Sequence, residues 1–366
     1  MRAAVLDSAN SPLRVEEIPR PTPGPGEVLV KVAACGVCHT DLHVIKGEVA
    51  FPTPCVLGHE ISGTVAALGA GVQGPPVGLK VACSFIMPCG ACRFCAQGRD
   101  DLCETFFGMN RLKGTLYDGQ TRLRRQDGSP LWMYSMAGLA EYAVVPATDV
   151  FALPDGIAFH EGAILGCAVF TAYGAVRNSA DLHAGETVAI IAVGGVGMNL
   201  VQVACAFGAS RIIAVDIQDD KLSMARRLGA TDTVNGSAGD AVAQVRALTG
   251  GIGVDVSFEA LGRPETFVQA SEVLRDGGRM VAIGIAPGTT TAPLEITRLV
   301  RRSQRVIGSY GARTRTDMPA VLELAARGVL RPEDVVTRRY GLDEVDEAYR
   351  SLAAGQIAGR AIIRIE

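Results

Sequence analysis

One short stretch of the chain concentrates side chains that can bind a metal or transfer a proton. From Cys35 it reads C-G-V-C-H-T-D-L-H, and it ends at Glu60 with G-H-E. A thiolate and an imidazole suit Zn²⁺, and a catalytic zinc takes three protein ligands and keeps a fourth position open. Cys38 and His59 are therefore predicted to be two of the ligands. Cys167, in the run I-L-G-C-A, is the strongest candidate for the third.

A second metal-binding pattern consists of four cysteines separated by two, two and seven residues. They are Cys89, Cys92, Cys95 and Cys103. Four thiolates in a turn-rich segment can close a tetrahedron around Zn²⁺ without a water, which is typical of a structural site. An iron–sulfur cluster also uses four cysteines, but the usual ferredoxin spacings differ from this one. Cys55, Cys83 and Cys205 lie in apolar runs and are expected to be small buried side chains.

A glycine-rich turn predicts a dinucleotide site. Residues 192–197 read A-V-G-G-V-G, which fits G-x-G-x-x-G except that alanine holds the first position. Such a turn lets the pyrophosphate approach the backbone and the free N–H groups of the helix that follows. Asp216 comes about 20 residues later at the end of the next strand, where a carboxylate binds the ribose of NAD and repels the phosphate of NADP. A glycine-rich turn without a ligand is the alternative.

The predicted secondary structure that must position these residues changes along the chain. Short β patterns with glycine breaks dominate the first 150 residues. From Thr187 onward, apolar strands alternate with helical patterns, which predicts an α/β fold with a parallel sheet. Residues 104–138 are polar and rich in glycine, and we expect a long surface loop there. Helices are expected near 318–328 and 342–355, followed by a last strand, A-I-I-R-I.

Composition restricts the class of protein. A chain of 366 residues, nearly half of them hydrophobic and with a formal net charge of -3, favours a globular protein of one or two domains. It argues against a nucleic-acid-binding surface. We expect no membrane span, because the apolar runs are short, and no secretion signal at the N-terminus. Ten cysteines without such a signal suggest reduced thiols and a cytoplasmic location.

Together and in this order, the motifs resemble the zinc-dependent medium-chain alcohol dehydrogenases of the longer-loop, two-zinc type. The resemblance runs from Met1 to Glu366. It implies a GroES-like, β-rich catalytic domain in residues 1–168, with a structural-zinc lobe at about 88–104. It also implies a Rossmann NAD-binding domain with a doubly wound parallel sheet in residues 169–309. Residues 310–366 would return to the catalytic domain.

The resemblance also implies roles for the residues of the first stretch. Cys38, His59 and Cys167 would hold a catalytic zinc, which lowers the pKa of an alcohol so that hydride passes to NAD. Asp41 would orient His59 by its far nitrogen. Glu60 would stand behind the zinc or bind it transiently.

Proton transfer and cofactor binding are assigned in the same way. Thr40 would accept the alcohol proton, and the cofactor ribose and then His43 would carry it to solvent. Phe85 would form an aromatic wall of the substrate pocket, unless it is a plain core residue. The implied cofactor contacts are His39, Gly194, Gly195, Val196, Gly197, Asp216, Lys221 and Arg360.

The expected reaction is the reversible oxidation of primary or aromatic alcohols to aldehydes, with two zinc ions per chain and with NAD. A homodimer or homotetramer is expected, associating around residues 299–310. One alternative is a thiol-adduct (formaldehyde-type) dehydrogenase, whose glutathione-dependent branch has an arginine just after the fourth structural cysteine. Phe106 and Phe107 stand there, and the nearest arginine is Arg111. A second alternative keeps NAD permanently bound and uses an external electron acceptor. A third is a non-catalytic reductase-like protein, against which the retained zinc ligands argue.

Overall fold

The computed structural model describes residues 1–365, in two compact units. The first contains Met1–Phe170, Arg313–Arg327 and the chain from Val336, and the second contains Thr171–Ala312 and Gly328–Val335. The expected boundaries, after residues 168 and 309, divide the chain at nearly the same places. The expected return segment, 310–366, extends one residue beyond the described chain. Within it, Gly328–Val335 belongs to the second unit.

Two β-sheets form most of the first unit. One has the spatial order Arg14–Glu17, Arg2–Leu6, Cys55–Val56, Pro130–Met133, Leu123–Arg124. The other has the order Val150–Ala152, Lys80–Cys83, Ile61–Leu68, Glu27–Val37, Arg360–Arg364, Val336–Gly341, with Tyr142–Pro146 also paired to Glu27–Val37. The strand Glu27–Val37 pairs antiparallel with three others and is buried almost throughout. It therefore forms the centre of this unit.

The C-terminal strand lies in this sheet because both of its faces are apolar. Ile362 and Ile363 are fully buried and pair with Gly36 and Cys35. The helices of the first unit include His39–Ile45, Arg93–Ala96, Phe159–Ile164, Thr314–Ala326 and Val345–Ala353. Shorter helical turns occur at Asp100–Leu102, Phe106–Arg111, Ala147–Asp149, Leu165–Val169 and Leu342–Glu344. The helices and strand expected in the tail are thus confirmed, with slightly different bounds.

Residues 104–138 differ from the expected surface loop. They contain a π-helical turn, Phe106–Arg111, and two strands that join the five-stranded sheet. Apolar residues spaced among the polar ones point inward, since Leu116, Leu131 and Tyr134 are fully buried. The prediction was wrong because it followed the polar composition of the segment and missed this spacing.

The second unit contains the expected parallel sheet. Its six strands, all parallel, have the order Asp232–Asn235, Arg211–Asp216, Thr187–Ile191, Val254–Glu259, Leu274–Ala282, Arg305–Gly308. Its helices include Gly195–Ala206, Asp219–Arg227, Ala241–Leu248, Pro264–Glu272 and Ile296–Arg301, with short turns at Ala175–Ala180 and Pro332–Asp334. The strand order reverses between Thr187–Ile191 and Val254–Glu259. This topological switch point is where doubly wound sheets bind ligands.

Two sequence expectations about burial need correction. The helical segment Phe159–Ala180 is long and apolar enough to cross a membrane by length and composition, contrary to the expectation of short apolar runs. However, 83% of its most apolar window is buried inside the protein, as in a core helix. Cys205 is exposed, because it lies near the C-terminal end of the helix Gly195–Ala206. Cys55 and Cys83 are buried as expected.

Candidate metal centres and dinucleotide site

The structure brings four predicted residues of the first unit together. The candidate ligand atoms of Cys38, His59, Glu60 and Cys167 all lie within 4.8 Å of one another, and all four side chains are buried. Cys38 lies at the N-terminus of the helix His39–Ile45. Cys167 lies in a π-helical turn, a local widening of the helix that is frequent at functional sites. These atoms can surround one metal ion.

The hydrogen bonds of His59 leave one ring nitrogen available for a metal. Asp41 Oδ1 lies 3.0 Å from Nδ1 of His59 and accepts the N–H of Gly58 at 3.2 Å. The expected pairing of Asp41 with His59 is thus present. Nε2 of His59 is buried and has no hydrogen-bond partner within residues 1–365. A buried nitrogen without a partner is costly, and a zinc ion would use its lone pair, so the residues fit this metal.

The pKa values of the two thiols in this cluster are shifted in opposite directions. A hydrogen bond from Cys167 holds the pKa of Cys38 well below its usual range, with further stabilisation from Arg360 and His59. The same hydrogen bond raises the pKa of Cys167. A metal binds the deprotonated form of both sulfur atoms, so metal binding competes with protons at this pair.

Glu60, one of the four clustered residues, is paired with an arginine. Nη2 of Arg360 lies 3.0 Å from Oε1 of Glu60, and Nη1 donates to the carbonyl of Val37 at 3.2 Å. Burial raises the pKa of Glu60 to about 7, although the charge of Arg360 opposes this. Arg360 itself is only 4% exposed. The sequence predicted Arg360 as a cofactor contact and did not indicate its pairing with Glu60.

The four-cysteine cluster also has the geometry of a metal site. The sulfur atoms of Cys89, Cys92, Cys95 and Cys103 lie within 4.8 Å of one another. Backbone N–H groups of Cys92 and Phe106 donate to Sγ of Cys89 and of Cys103, at 3.3 and 3.4 Å. Desolvation raises the pKa of Cys92, but backbone N–H groups outweigh it and hold this pKa at about 6. Closely placed, hydrogen-bonded cysteine sulfur atoms fit a structural zinc.

The predicted proton-transfer residues lie on one short helix. Oγ1 of Thr40 is 3.6 Å from Sγ of Cys38, and the Thr40 side chain is partly exposed. Nδ1 of His43 lies 2.5 Å from Oε2 of Glu48. His39 is exposed at the start of the same helix. The sequence did not point to Glu48, although its position five residues after His43 on a turn could have done so.

The predicted dinucleotide turn of the second unit has an unusual backbone. Ala192 has φ +71°, a left-handed conformation that favours glycine. The helix begins at Gly195, and a β-carbon on Gly197 would lie 2.2 Å from the carbonyl oxygen of Ala192. A β-carbon on Gly194 would meet open space. The turn is therefore tightly packed between Gly197 and Ala192, and there is open space beside Gly194.

Asp216 ends its strand as predicted, and its carboxylate also supports the turn. Oδ2 accepts the N–H of Val193 at 3.0 Å, and Oδ1 accepts the N–H groups of Ile217 and Gln218 at 2.8 and 3.2 Å. Lys221 lies on the next helix, Asp219–Arg227, and is partly exposed. His39 and Arg360 belong to the first unit, so their cofactor contacts stay predictions.

Aromatic side chains adjoin the first metal cluster. The ring of His59 meets Phe85 and Tyr134 edge to face, with centroids 6.0 and 6.2 Å apart. The guanidinium carbon of Arg111 lies 4.1 Å from the ring centroid of Tyr134. The sequence singled out Phe85, but it gave no sign of Tyr134, which lies in the segment expected to be a surface loop.

Comparison with known proteins places these features in a family context. Residues 24–155 match the alcohol dehydrogenase GroES-like domain, and residues 195–327 match the zinc-binding dehydrogenase family. The chain is 34% identical to an NDMA-dependent alcohol dehydrogenase of Amycolatopsis methanolica, over 97% of this chain and 96% of that one. It is 34% identical to an S-(hydroxymethyl)glutathione dehydrogenase of Escherichia coli, over 99% of each chain. The benzyl alcohol dehydrogenase of Acinetobacter calcoaceticus has a similar structure, with a TM-score of 0.93, 30% identity, and coverage of 100% of this chain and 99% of that one.

Proposed function

We propose a substrate class for this chain from the premise that it belongs to the zinc-dependent medium-chain alcohol dehydrogenase family. It is accordingly a zinc- and NAD-dependent alcohol dehydrogenase with a GroES-like domain and a Rossmann-like sheet. Within that activity, the proposed substrates are primary or aromatic alcohols and the matching aldehydes. The proposed catalytic residues are Cys38, Thr40, His43, His59, Glu60 and Cys167.

The observation that carries the substrate proposal is the group of buried aromatic rings beside His59. Phe85 and Tyr134 contact its ring edge to face, and Phe51 packs on Tyr134 with centroids 4.9 Å apart. Aromatic rings present large apolar surfaces and favour edge-to-face contact with another ring. We infer that an apolar, aromatic alcohol suits a metal ligand with such apolar surroundings. The structural likeness to a benzyl alcohol dehydrogenase agrees with this substrate class.

Each side chain of the site is proposed to have a separate role in the reaction. A zinc ion held by Cys38, His59 and Cys167 would supply Lewis acidity that lowers the pKa of the alcohol hydroxyl, and NAD would accept the hydride. Asp41 keeps the proton of His59 on Nδ1, so that Nε2 offers its lone pair. Thr40, next to Cys38 Sγ, would accept the alcohol proton. His43, paired with Glu48, would release a proton toward solvent.

NAD is proposed to bind at the turn 194–197 with Asp216 on the ribose and Lys221 nearby. Oδ1 of Asp216 already accepts two backbone N–H groups, but Oδ2 accepts only one and keeps a second lone pair for a ribose hydroxyl. A second candidate activity keeps NAD permanently bound and passes electrons to an external acceptor. The similarity to an NDMA-dependent alcohol dehydrogenase favours it as the main alternative.

One steady-state experiment separates these activities. Purified protein is assayed with aliphatic primary alcohols, benzyl alcohol, and formaldehyde with glutathione, each with NAD or NADP. Cofactor released from denatured protein is quantified in parallel. Turnover of benzyl alcohol with added NAD supports the proposal. Turnover only with an artificial electron acceptor, together with one released NAD per chain, would establish the second candidate. Activity confined to formaldehyde with glutathione would replace the proposed substrate class.

We also propose a cytoplasmic homodimer or homotetramer. The strand Arg305–Gly308 is at the edge of the six-stranded sheet and is largely exposed. Ile296 and Val300, on the helix before it, are 76% and 70% exposed. Exposed apolar side chains beside an open strand edge are typical of an association surface. Light scattering on the wild type and on Val300→Glu tests this, because a monomeric wild type would contradict it.

A further inference from the structure

We propose that Tyr349 is a positioning residue for the catalytic metal, acting through Asp41 on His59. The hydroxyl of Tyr349 donates to Oδ2 of Asp41 at 2.8 Å, and the other oxygen, Oδ1, lies 3.0 Å from Nδ1 of His59. The three side chains are 3%, 0% and 1% exposed. This chain of contacts thus runs from the C-terminal helix to a candidate ligand without exposure to bulk water. The inference rests on the metal site of the proposed function.

The two carboxylate oxygens of Asp41 have different hydrogen-bond partners. Oδ1 receives the N–H groups of Gly58 and His59, and Oδ2 receives the hydroxyl of Tyr349. A carboxylate that is bound at both oxygens cannot rotate without breaking a buried hydrogen bond. Burial raises the pKa of Tyr349 well above its usual range, so its hydroxyl stays protonated and acts as a donor. The imidazole of His59 is therefore held in one orientation, with Nε2 free for the metal.

The helix that carries Tyr349 is itself fixed against the first unit. On Val345–Ala353, the buried residues Val345, Ala348 and Leu352 share a face with Tyr349. This spacing is that of an amphipathic helix whose apolar face points to the core. Asp346 accepts the N–H of Leu13 at 3.1 Å and secures the first turn. The C-terminal part of the chain thereby supplies a hydrogen-bond partner for Asp41, 308 positions earlier.

The experiment measures zinc release from the folded holoenzyme into a chelating dye. Groups that orient metal ligands typically affect metal affinity by about 10–100-fold. We expect Tyr349→Phe to accelerate the release of one of two zinc ions by about 10–100-fold and to leave the other unchanged. The release rate of Cys38→Ala, which keeps only the structural zinc, identifies the ion concerned. Tyr117→Phe is the matched control, because it also removes a hydroxyl that donates to a buried acceptor, the carbonyl of Met87.

A double-mutant cycle with Asp41→Asn separates positioning from packing. If Tyr349 acts through Asp41, Tyr349→Phe adds no further acceleration in the Asp41→Asn background. Equal acceleration in both backgrounds would mean that Tyr349 only packs the core and would overturn the inference. The inference would also be overturned if Tyr349→Phe released both ions at the wild-type rate. A wild type with a single zinc, removed by Cys92→Ser, would overturn the proposed function as well. Cobalt-loaded protein gives a second readout, since Tyr349→Phe should shift the visible absorption of the catalytic ion and Tyr117→Phe should not.

Discussion

The carbonyl oxygen of Ala192 lies only 2.2 Å from the place that a β-carbon on Gly197 would occupy. The turn therefore closes on itself where the helix Gly195–Ala206 begins. Glycine is needed at 197 for this approach. At 192, alanine occupies a left-handed conformation, with φ +71°, that glycine adopts without strain.

The two positions should respond to substitution in opposite ways. The left-handed conformation of Ala192 costs roughly 1–2 kcal/mol in the folded state, and Ala192→Gly removes this cost. Glycine also adds about 0.5–1 kcal/mol of conformational entropy to the unfolded state, which opposes the gain. We expect a gain in the free energy of unfolding of up to about 1 kcal/mol, with NAD affinity kept. Gly197→Ala should lose about 1–3 kcal/mol through overpacking and should weaken NAD binding. Denaturant unfolding and NAD titration measure both. A destabilised Ala192→Gly would show that the turn is not strained.

Two zinc ions of different character should be found in each chain. Cys38→Ala should remove one ion and abolish turnover while NAD binding remains. Cys92→Ser should remove the other and mainly reduce stability, because a closed tetrahedral site contributes directly to folding. Elemental analysis and thermal denaturation of both variants check this. One zinc per wild-type chain would contradict it.

Spacing explains why the sequence alone could indicate both metal clusters. Cys89, Cys92 and Cys95 are so close in sequence that a short turn brings their sulfur atoms together. Cys38 and His59 flank paired strands of one sheet, so local structure and the family resemblance were enough. The alternation of strands and helices from Thr187 likewise predicted the parallel sheet. The cysteine spacing and the strand alternation depend on near neighbours in the chain, whereas Cys167 is distant from Cys38 and His59 in sequence and was assigned with the family resemblance.

Contacts between distant segments of the chain could not be predicted from the sequence in this way. Tyr349 reaches Asp41 across 308 positions, and it resembles any core aromatic on an amphipathic helix. Arg360 was predicted to contact the cofactor, and only the packing of its strand reveals its ion pair with Glu60. The prediction of a surface loop at 104–138 was wrong for a related reason. Burial of this segment depends on the sheet that it joins, and that sheet cannot be inferred from the polar composition of the segment.

Cofactor choice should depend on Asp216 in two ways. Asp216→Gly removes the ribose acceptor and the repulsion of a 2′-phosphate, so use of NADP should rise relative to NAD. It also removes the acceptor for the N–H of Val193, so the turn should loosen and total activity should fall. Asp216→Asn keeps one acceptor oxygen and should fall less. The ratio of kcat/KM values for the two cofactors is the measurement. A wild type that prefers NADP would contradict the assignment.

Asp149 should make stability depend on pH. Burial raises its pKa well above the usual range, although Ser84 donates both its N–H and its hydroxyl to Oδ1. The folded state therefore keeps a proton that the unfolded state loses above about pH 4. Stability from this group is lost as pH rises, by about 1.4 kcal/mol per pH unit, until the folded pKa is passed.

Asp149→Asn lacks this proton and should become progressively more stable than the wild type as pH rises above about 4. Denaturant unfolding of the holoenzyme at several pH values measures the difference. Asp155→Asn, at an exposed position, controls for the loss of one charge. A difference between Asp149→Asn and the wild type that stays constant with pH would show that Asp149 is ionised in the folded protein.

Proton transfer should depend on Thr40 more than on His43. General acid–base groups typically contribute about 10²–10⁴-fold to the rate. We expect Thr40→Ala to fall within that range and Thr40→Ser to cost little, because only the hydroxyl is used. His43→Gln should lie at or below the low end, since water can partly replace an outer group. Added imidazole should restore part of the activity of His43→Gln.

The contact between His43 and Glu48 sharpens this prediction. A carboxylate 2.5 Å from Nδ1 orients the imidazole ring of His43, so Glu48→Gln should impair proton release in the same step. The rate losses of Glu48→Gln and His43→Gln should then not add in the double variant. The pH profile of alcohol oxidation is the decisive measurement, under conditions where hydride transfer limits the rate. A His43→Gln profile equal to that of the wild type at every pH would make His43 structural and end the proton path before it.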